Sequence, residues 1–181
     1  MTPYFATLTL PGVILRPWHA NDAESFVQAA HESTATVGRW MDWCTPDFTH
    51  QHALNWFVEC RDKAARFQAY ESGIFSAING SLLGGAALNH IDHDNRLCNL
   101  GYWVRQSAQR QGIALRTAQA LIAHAFTALN MQRIEIVVAE GNIASEALAR
   151  QAGAKWECLA RNRLQLHGAA VPAHVFSVVP W

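Results

Sequence analysis

The chain has 181 residues, of which 50% are hydrophobic and 15% charged, and its 14 Lys+Arg balance its 14 Asp+Glu. A general nucleic-acid binder carries a basic excess and is excluded. No segment approaches the roughly 20 apolar residues of a membrane span. The length predicts one domain, residues 1–181, with roughly 70% of the unfolded chain's surface buried on folding.

In chain order, Val13–Trp18 ("VILRPW") reads as a first strand. Asn21–Glu24 ("NDAE") resembles a capping box opening a short helix through about Ala30. A turn-rich, tryptophan-bearing stretch follows, "VGRWMDWCTPDFT". Thr49 can cap the next helix, whose apolar positions Ala53, Trp56, Phe57, Cys60 and Ala64 recur at three- and four-residue steps. The period then changes. "GIFSAI", "LLGGAALNHI" and "RLCNLGYWV" read as three strands joined at the turns Asn79–Ser81 and Asp92–Asn95, an antiparallel meander. A helix follows, with Ala118, Leu121, Ile122, Ala125, Phe126 and Leu129 on one face. Arg133–Ala139 ("RIEIVVA") is almost continuously apolar and is expected to be a central strand. "NIASEALARQAGA" reads as a short helix ended by Gly153, and strands near Trp156–Gln165 and His174–Val179 finish an α/β sheet with helices on both faces.

The first residues lack a basic start and an apolar run, so a cytoplasmic chain with reduced thiols at Cys44, Cys60, Cys98 and Cys158 is expected. His50 with His52, and His90 with His93, have no cysteine or carboxylate set to complete a metal site, and no metal is expected.

Gly112 raises a sharper question. A strand ends at Val104, and a periodic helix starts near the glycine. The first amides of a helix have no internal partner, and the helix dipole places partial positive charge beside them. Glycine lets another group approach the backbone, Ala114 is also small, and Arg110, with Arg105 or Arg116, adds cationic charge. Such a turn suits an anion, above all a phosphate, and also suits a plain helix start. The Walker pattern fails for want of Gly-Lys-Ser/Thr. The dinucleotide pattern fails because only one glycine is present and the preceding sheet reads antiparallel.

The run Gln109-Arg110-Gln111-Gly112-Ile113-Ala114 matches the Gln/Arg-x-x-Gly-x-Gly/Ala signature of the GCN5-related N-acetyltransferases (GNAT), and the chain resembles that family from Gly101 to Glu157 most specifically. Asn142-x-x-Ser145 with its helix and glycine turn resembles the family's next unit, and the Trp-rich "GRWMDW" looks most like the RimJ/RimL branch, which acetylates protein N-terminal amines. The resemblance implies a GNAT fold: a mixed, mostly antiparallel sheet splayed at a β-bulge, with helices on both faces. It implies acetyl-CoA as co-substrate and direct attack by an amine in a ternary complex.

Carried onto this chain, the resemblance gives the backbone amides of Gln109, Arg110, Gln111, Gly112, Ile113 and Ala114 to the pyrophosphate. Tyr102, Trp103 and Val104 would offer main-chain groups to the pantetheine arm, with Trp103 the candidate for the amide facing the thioester oxyanion. Asn142 would contact coenzyme A, and an N-cap role suits it equally. Ser145 would protonate or stabilise the leaving thiolate, since Leu148 and Ala149 stand where many relatives have tyrosine, although an exposed serine in a first helical turn fits the same position. Glu157 would help deprotonate the acceptor ammonium, although a surface carboxylate fits the same position; Glu32 and Asp42 are rivals. Relatives often carry an Asp before the last strand, where this chain has Ala173 and His174. Trp40, Met41 and Trp43 would wall the acceptor cleft, or else form plain core.

The acceptor implied is a protein α-amine, such as a ribosomal protein's. A small amine (antibiotic or polyamine) and a non-catalytic acyl-CoA-binding module are the alternatives, and the lack of a conspicuous acidic cluster argues against a polyamine. A homodimer is suggested by the branch alone.

Overall fold

A computed structural model describes residues 7–180. Eight strands form one sheet in the order β1-β2-β3-β4-β5-β6-β8-β7. They are β1 Leu8–Leu10, β2 Val13–Arg16, β3 Tyr70–Ser76, β4 Leu82–Asp92, β5 Leu97–Val104, β6 Arg133–Ala139, β7 Lys155–Leu166 and β8 Ala169–Val178. The helices are α1 Ala23–Glu32, α2 His50–Ala65, α3 Ile113–Thr127 and α4 Ile143–Gln151. All pairings are antiparallel except β5 with β6.

Side chains alternate across the sheet and build two cores. One collects Phe26, Ala29, Val37, Phe48 and Phe57 of α1, α2 and their connection over Phe75 and Leu82. The other packs Ala118, Leu121, Ile122 and Ala125 of α3 over Ile74, Leu88, Leu100 and Ile136. These four α3 positions are buried as the periodicity predicts, while Phe126 and Leu129 are only partly covered. Each fully buried Leu or Ile contributes about 1.5–3 kcal/mol, so this stripe holds α3 and its amino end firmly on the sheet.

The local signals fall where the sequence puts them, with shifted ends. Thr49 caps α2 by accepting the His52 amide at 3.2 Å. Asp22 acts one turn earlier than expected, in a 3₁₀ turn before α1, where it accepts the His19 amide and pairs with Arg16 at 2.7 and 2.8 Å. Strand β3 begins at Tyr70 rather than Gly73, and β8 at Ala169 rather than His174. Strand β1 was not foreseen; it is three residues long and pairs only with β2.

The feature that positions the site is a gap. Strand β6 follows β8 from Ile134 to Ala139, and β5 follows β4 as far as Val104. Between β5 and β6 the pairing spans only Leu97↔Arg133 to Asn99↔Glu135. Beyond Asn99 each strand keeps to its outer neighbour, and the two part. At that same level β4 carries one extra residue between Asn89 and Asp92, with His90 at φ 49°, so a bulge sits beside the start of the splay.

Candidate functional site

The Gly112 loop stands at one side of the gap. Arg110 and Gly112 both adopt left-handed backbone (φ 62° and 70°), with Gly112 at the N-cap of α3. This alternation turns successive amides toward one concavity. Among the described residues, no protein acceptor meets the amides of Gly112, Ile113 or Ala114. Ile113 is buried and pins the start of α3 in the core, so the donors are held in place. Arg116 lies against the turn. Its Nη1 donates to the Gln111 carbonyl at 3.2 Å, and its Nε is buried without a partner among the described residues. Orphan donors, a side-chain-free approach and an adjacent guanidinium fit a phosphate group.

The side chains of Gln109 and Gln111 brace the loop. Gln109 Nε2 donates to the Val104 carbonyl at 3.0 Å and to Thr36 Oγ1 at 3.3 Å; Gln111 Nε2 donates to the Ser107 carbonyl. Glu32 holds Arg105 two-pronged at 2.9 and 2.6 Å and accepts the Ser107 amide and hydroxyl, so the end of α1 clamps the approach to the loop. The Arg105 hydrogen bonds hold the Glu32 carboxyl down at about 2, which makes it a clamp and a poor base.

Strand β5 lines one wall of the gap. Arg105 donates its amide to the Leu83 carbonyl at 2.9 Å. Amides alternate in direction along a strand, so those of Trp103 and Gly101 also turn to β4, while those of Tyr102 and Val104 turn to the gap. The Trp103 amide, expected to face an oxyanion, turns away from the gap. The Trp103 amide belongs to the β4 ladder, and its indole packs on Trp43 and Phe26 at 5.1 and 5.3 Å.

Across the gap, Asn142 caps α4 by accepting the Ser145 amide at 3.2 Å. Ser145 Oγ lies 3.0 Å from the Tyr102 hydroxyl, which reaches over from β5. Burial raises the Tyr102 phenol above its ordinary value, and the Ser145 hydrogen bond opposes this. Beyond the main-chain groups that the resemblance implies for Tyr102, its hydroxyl joins Ser145 through a fold contact spanning 43 residues.

Behind β5 lies a cavity of about 310 Å³ walled by Trp18, Phe26, Met41, Trp43, Phe48 and Trp56. Its floor is the small-residue row Gly85, Ala87 and Gly101, and a side chain added at Gly101 would meet nothing within 4 Å. Met41 and Trp43 line this cavity and also pack against the aromatic core. Trp40 does not line it; it lies under the Arg39 guanidinium at 4.9 Å and beside Gly141.

Three carboxylates change places. Glu157 lies level with the start of β6, away from the parted strands. It is locked to Arg133 at 2.8 and 2.6 Å and to Ser177 Oγ at 2.6 Å. Arg133 first, then Ser177, hold its carboxyl down at about 2, so the base role expected of it fails on charge and on place. Asp42 accepts the His167 amide at 2.9 Å and ties down the β7–β8 hairpin tip. Glu71 of β3, not foreseen, lines the aromatic cavity, and burial raises its carboxyl to about 7. Asn89 Nδ2 approaches Glu71 Oε1 at 3.5 Å, and Asn99 Nδ2 donates to Asn89 Oδ1 at 2.9 Å.

The cysteines add nothing nucleophilic in the cores: burial raises the thiols of Cys44, Cys60 and Cys98, that of Cys98 to about 12. His52 Nδ1 accepts the Thr49 amide, and His93 Nε2 bonds the Phe67 carbonyl. No group of three or more His, Cys, Asp or Glu side chains among the described residues is placed to hold a metal.

A model of the acetyltransferase (GNAT) domain matches residues 13–155. YdaF of Bacillus subtilis (strain 168), proposed as a ribosomal N-acetyltransferase, is 27% identical over 157 residues, 86% of this chain and 85% of that protein. A structure from Vibrio cholerae, proposed as a ribosomal-protein-serine acetyltransferase, is 34% identical with a TM-score of 0.88, covering 99% of this chain and 100% of that one. The structure of Mycobacterium smegmatis RimJ in complex with CoA-disulfide is 25% identical with a TM-score of 0.86, covering 96% of this chain and 86% of that one.

Proposed function

The chain belongs to the GNAT acetyltransferase family, and we propose that it moves an acetyl group from acetyl-CoA to the α-amine of a protein N-terminus. The observation that carries this reading is the parting of β5 from β6 beyond Asn99, with the Gly112 loop following β5 and Gly101, Tyr102 and Trp103 of β5 lining the aromatic cavity. Acetyl-CoA supplies an electrophilic acyl carbon and a thiolate leaving group. The amides at Gly112, Ile113 and Ala114 with Arg116 would hold the diphosphate. Main-chain groups of Tyr102 and Val104 would take the arm, and one of these amides would stabilise the developing oxyanion. The neutral amine attacks directly; a C–N bond forms, the C–S bond breaks, and the Tyr102–Ser145 pair delivers a proton to sulfur.

The acceptor class follows from the cavity's chemistry. Its walls are aromatic, and its lining includes a single carboxylate, Glu71. That suits one amine on a partly apolar residue. A polyamine asks for several carboxylates. The names of the relatives point the same way.

The test measures CoA release from acetyl-CoA with N-terminal peptides of varied first residue, polyamines and aminoglycosides. Turnover with the peptides and little with the others is expected. Turnover confined to small amines would replace the protein acceptor, and tight acetyl-CoA binding with no release by any amine would remove catalysis altogether. Mass spectrometry of protein N-termini from a deletion strain would name the acceptor.

A further inference from the structure

We propose that Glu71 is the general base that takes the proton from the acceptor ammonium, with Asn89 and Asn99 as its positioning residues; this rests on the acetyl-transfer reading above. The sheet register places it. Glu71 pairs with Ala87, and Ala87 with Gly101, so the three lie in one row on the cavity face. Strands stand roughly 4.8 Å apart, which puts the Glu71 and Gly101 backbones roughly 10 Å apart. Ala87 fills little of that distance, and the space over Gly101 is open. A glutamate reaching inward along the row leaves room for the reacting nitrogen, or for one water and the nitrogen. Gly101 adjoins Tyr102, whose amide faces the gap, so the nitrogen would stand beside the acyl carbon.

The surroundings suit a base. Among the described residues Glu71 makes no ion pair and its Oε2 accepts no hydrogen bond. Among the described residues its side chain accepts one long hydrogen bond, from Asn89 at 3.5 Å, itself held in orientation by Asn99. The groups facing it from α2 are Glu59, Cys60 and Lys63. Lys63 is paired with Glu59 at 2.6 Å and forms no ion pair with Glu71; its charge lowers the Glu71 carboxyl and that of Glu59 raises it, both by less than burial does. Burial is the dominant influence on the carboxyl and tunes it to about 7, where a base is both ionised and able to accept a proton. Glu32 and Glu157, each held at about 2 by arginine, lack that property.

The protons balance. The nitrogen sheds two: Glu71 accepts the first, freeing the lone pair that forms the C–N bond, and passes it to solvent. The second leaves the nitrogen as the amide forms and, through water, replaces the proton that Ser145 and Tyr102 hand to the departing sulfur.

The experiment compares the unaltered protein with Glu71→Gln and Glu71→Asp. Steady-state CoA release is measured on an N-terminal peptide from pH 5.5 to 9, and acetyl-CoA binding by calorimetry. In the unaltered protein kcat/KM should rise through an ionisation near 7. Glu71→Gln should lose that limb and at least 100-fold of kcat, within the span general bases supply, with acetyl-CoA affinity changed less than twofold. Glu71→Asp should retain the limb at reduced rate. Transfer by the unaltered protein with Glu71→Gln within threefold of it, limb intact, overturns the role of Glu71 and leaves acetyl transfer standing. Acetyl-CoA binding without CoA release by the unaltered protein overturns both. Should Glu71→Gln not fold, the ¹³C carboxyl resonance of Glu71 in the unaltered protein decides: titration near 7 supports the assignment, and titration below 5 overturns it.

Discussion

Glu32 and Arg105 face each other as a two-pronged ion pair, at 2.9 and 2.6 Å, across 73 positions of sequence. The pair joins the last residue of α1 to the residue that follows β5, and Ser107 closes on the same carboxylate. Both side chains are mostly shielded, so removing one leaves the other poorly solvated. Glu32→Gln should loosen the loop, weaken acetyl-CoA binding about tenfold in calorimetry and lower Tm by a few degrees. The Glu32 carboxyl is held below its unfolded value, so its contribution is present above roughly pH 4.5 and is lost as pH falls toward 2. The mutant's deficit in Tm should therefore shrink on acidification.

Gly112→Glu should abolish acetyl-CoA binding, because the new carboxylate would occupy the phosphate position with like charge. Gly112→Ala should bind more weakly and melt earlier, since φ 70° is costly for alanine and its Cβ would press on Arg116 Nη1 at 3.1 Å. Unchanged binding in Gly112→Glu would exclude the loop as the phosphate site.

The Tyr102–Ser145 pair acts as one unit in the proposed chemistry. Ser145→Ala and Tyr102→Phe should each lower kcat about 10- to 100-fold with acetyl-CoA affinity little altered. The double variant should lose scarcely more than either single one, because both changes remove the same 3.0 Å contact. Additive losses would show two separate roles.

Glu157→Gln should leave turnover within twofold. Its stability cost should stay below about 1 kcal/mol, because the Arg133 pair is substantially solvated. That cost is present above roughly pH 4.5 and fades as pH falls toward 2, since Arg133 and Ser177 depress the folded value. Glu71 has the opposite sign. Its folded value is raised to about 7, so the unaltered protein loses stability as pH climbs from roughly 4.5 through 7. Glu71→Gln should melt higher than the unaltered protein at pH 8, by a few degrees, and level with it near pH 4.5 by differential scanning calorimetry.

The sequence by itself determined the elements whose signals are local. The α3 stripe, the Thr49 and Asn142 caps, the hairpin turns and the Gln109–Ala114 signature are each read within a few residues, because helical period, capping and turn chemistry act over that range. Only the tertiary structure decided how each carboxylate is held. Glu157 is paired by Arg133, 24 positions away, and Glu71 acquires its altered acidity from its burial, with α2 and β4 packed around it. It likewise decided that Tyr102 meets Ser145 and that Trp103 turns its amide to β4. Burial, ion pairing and strand direction depend on neighbours brought together by folding, and no spacing along the chain encodes them.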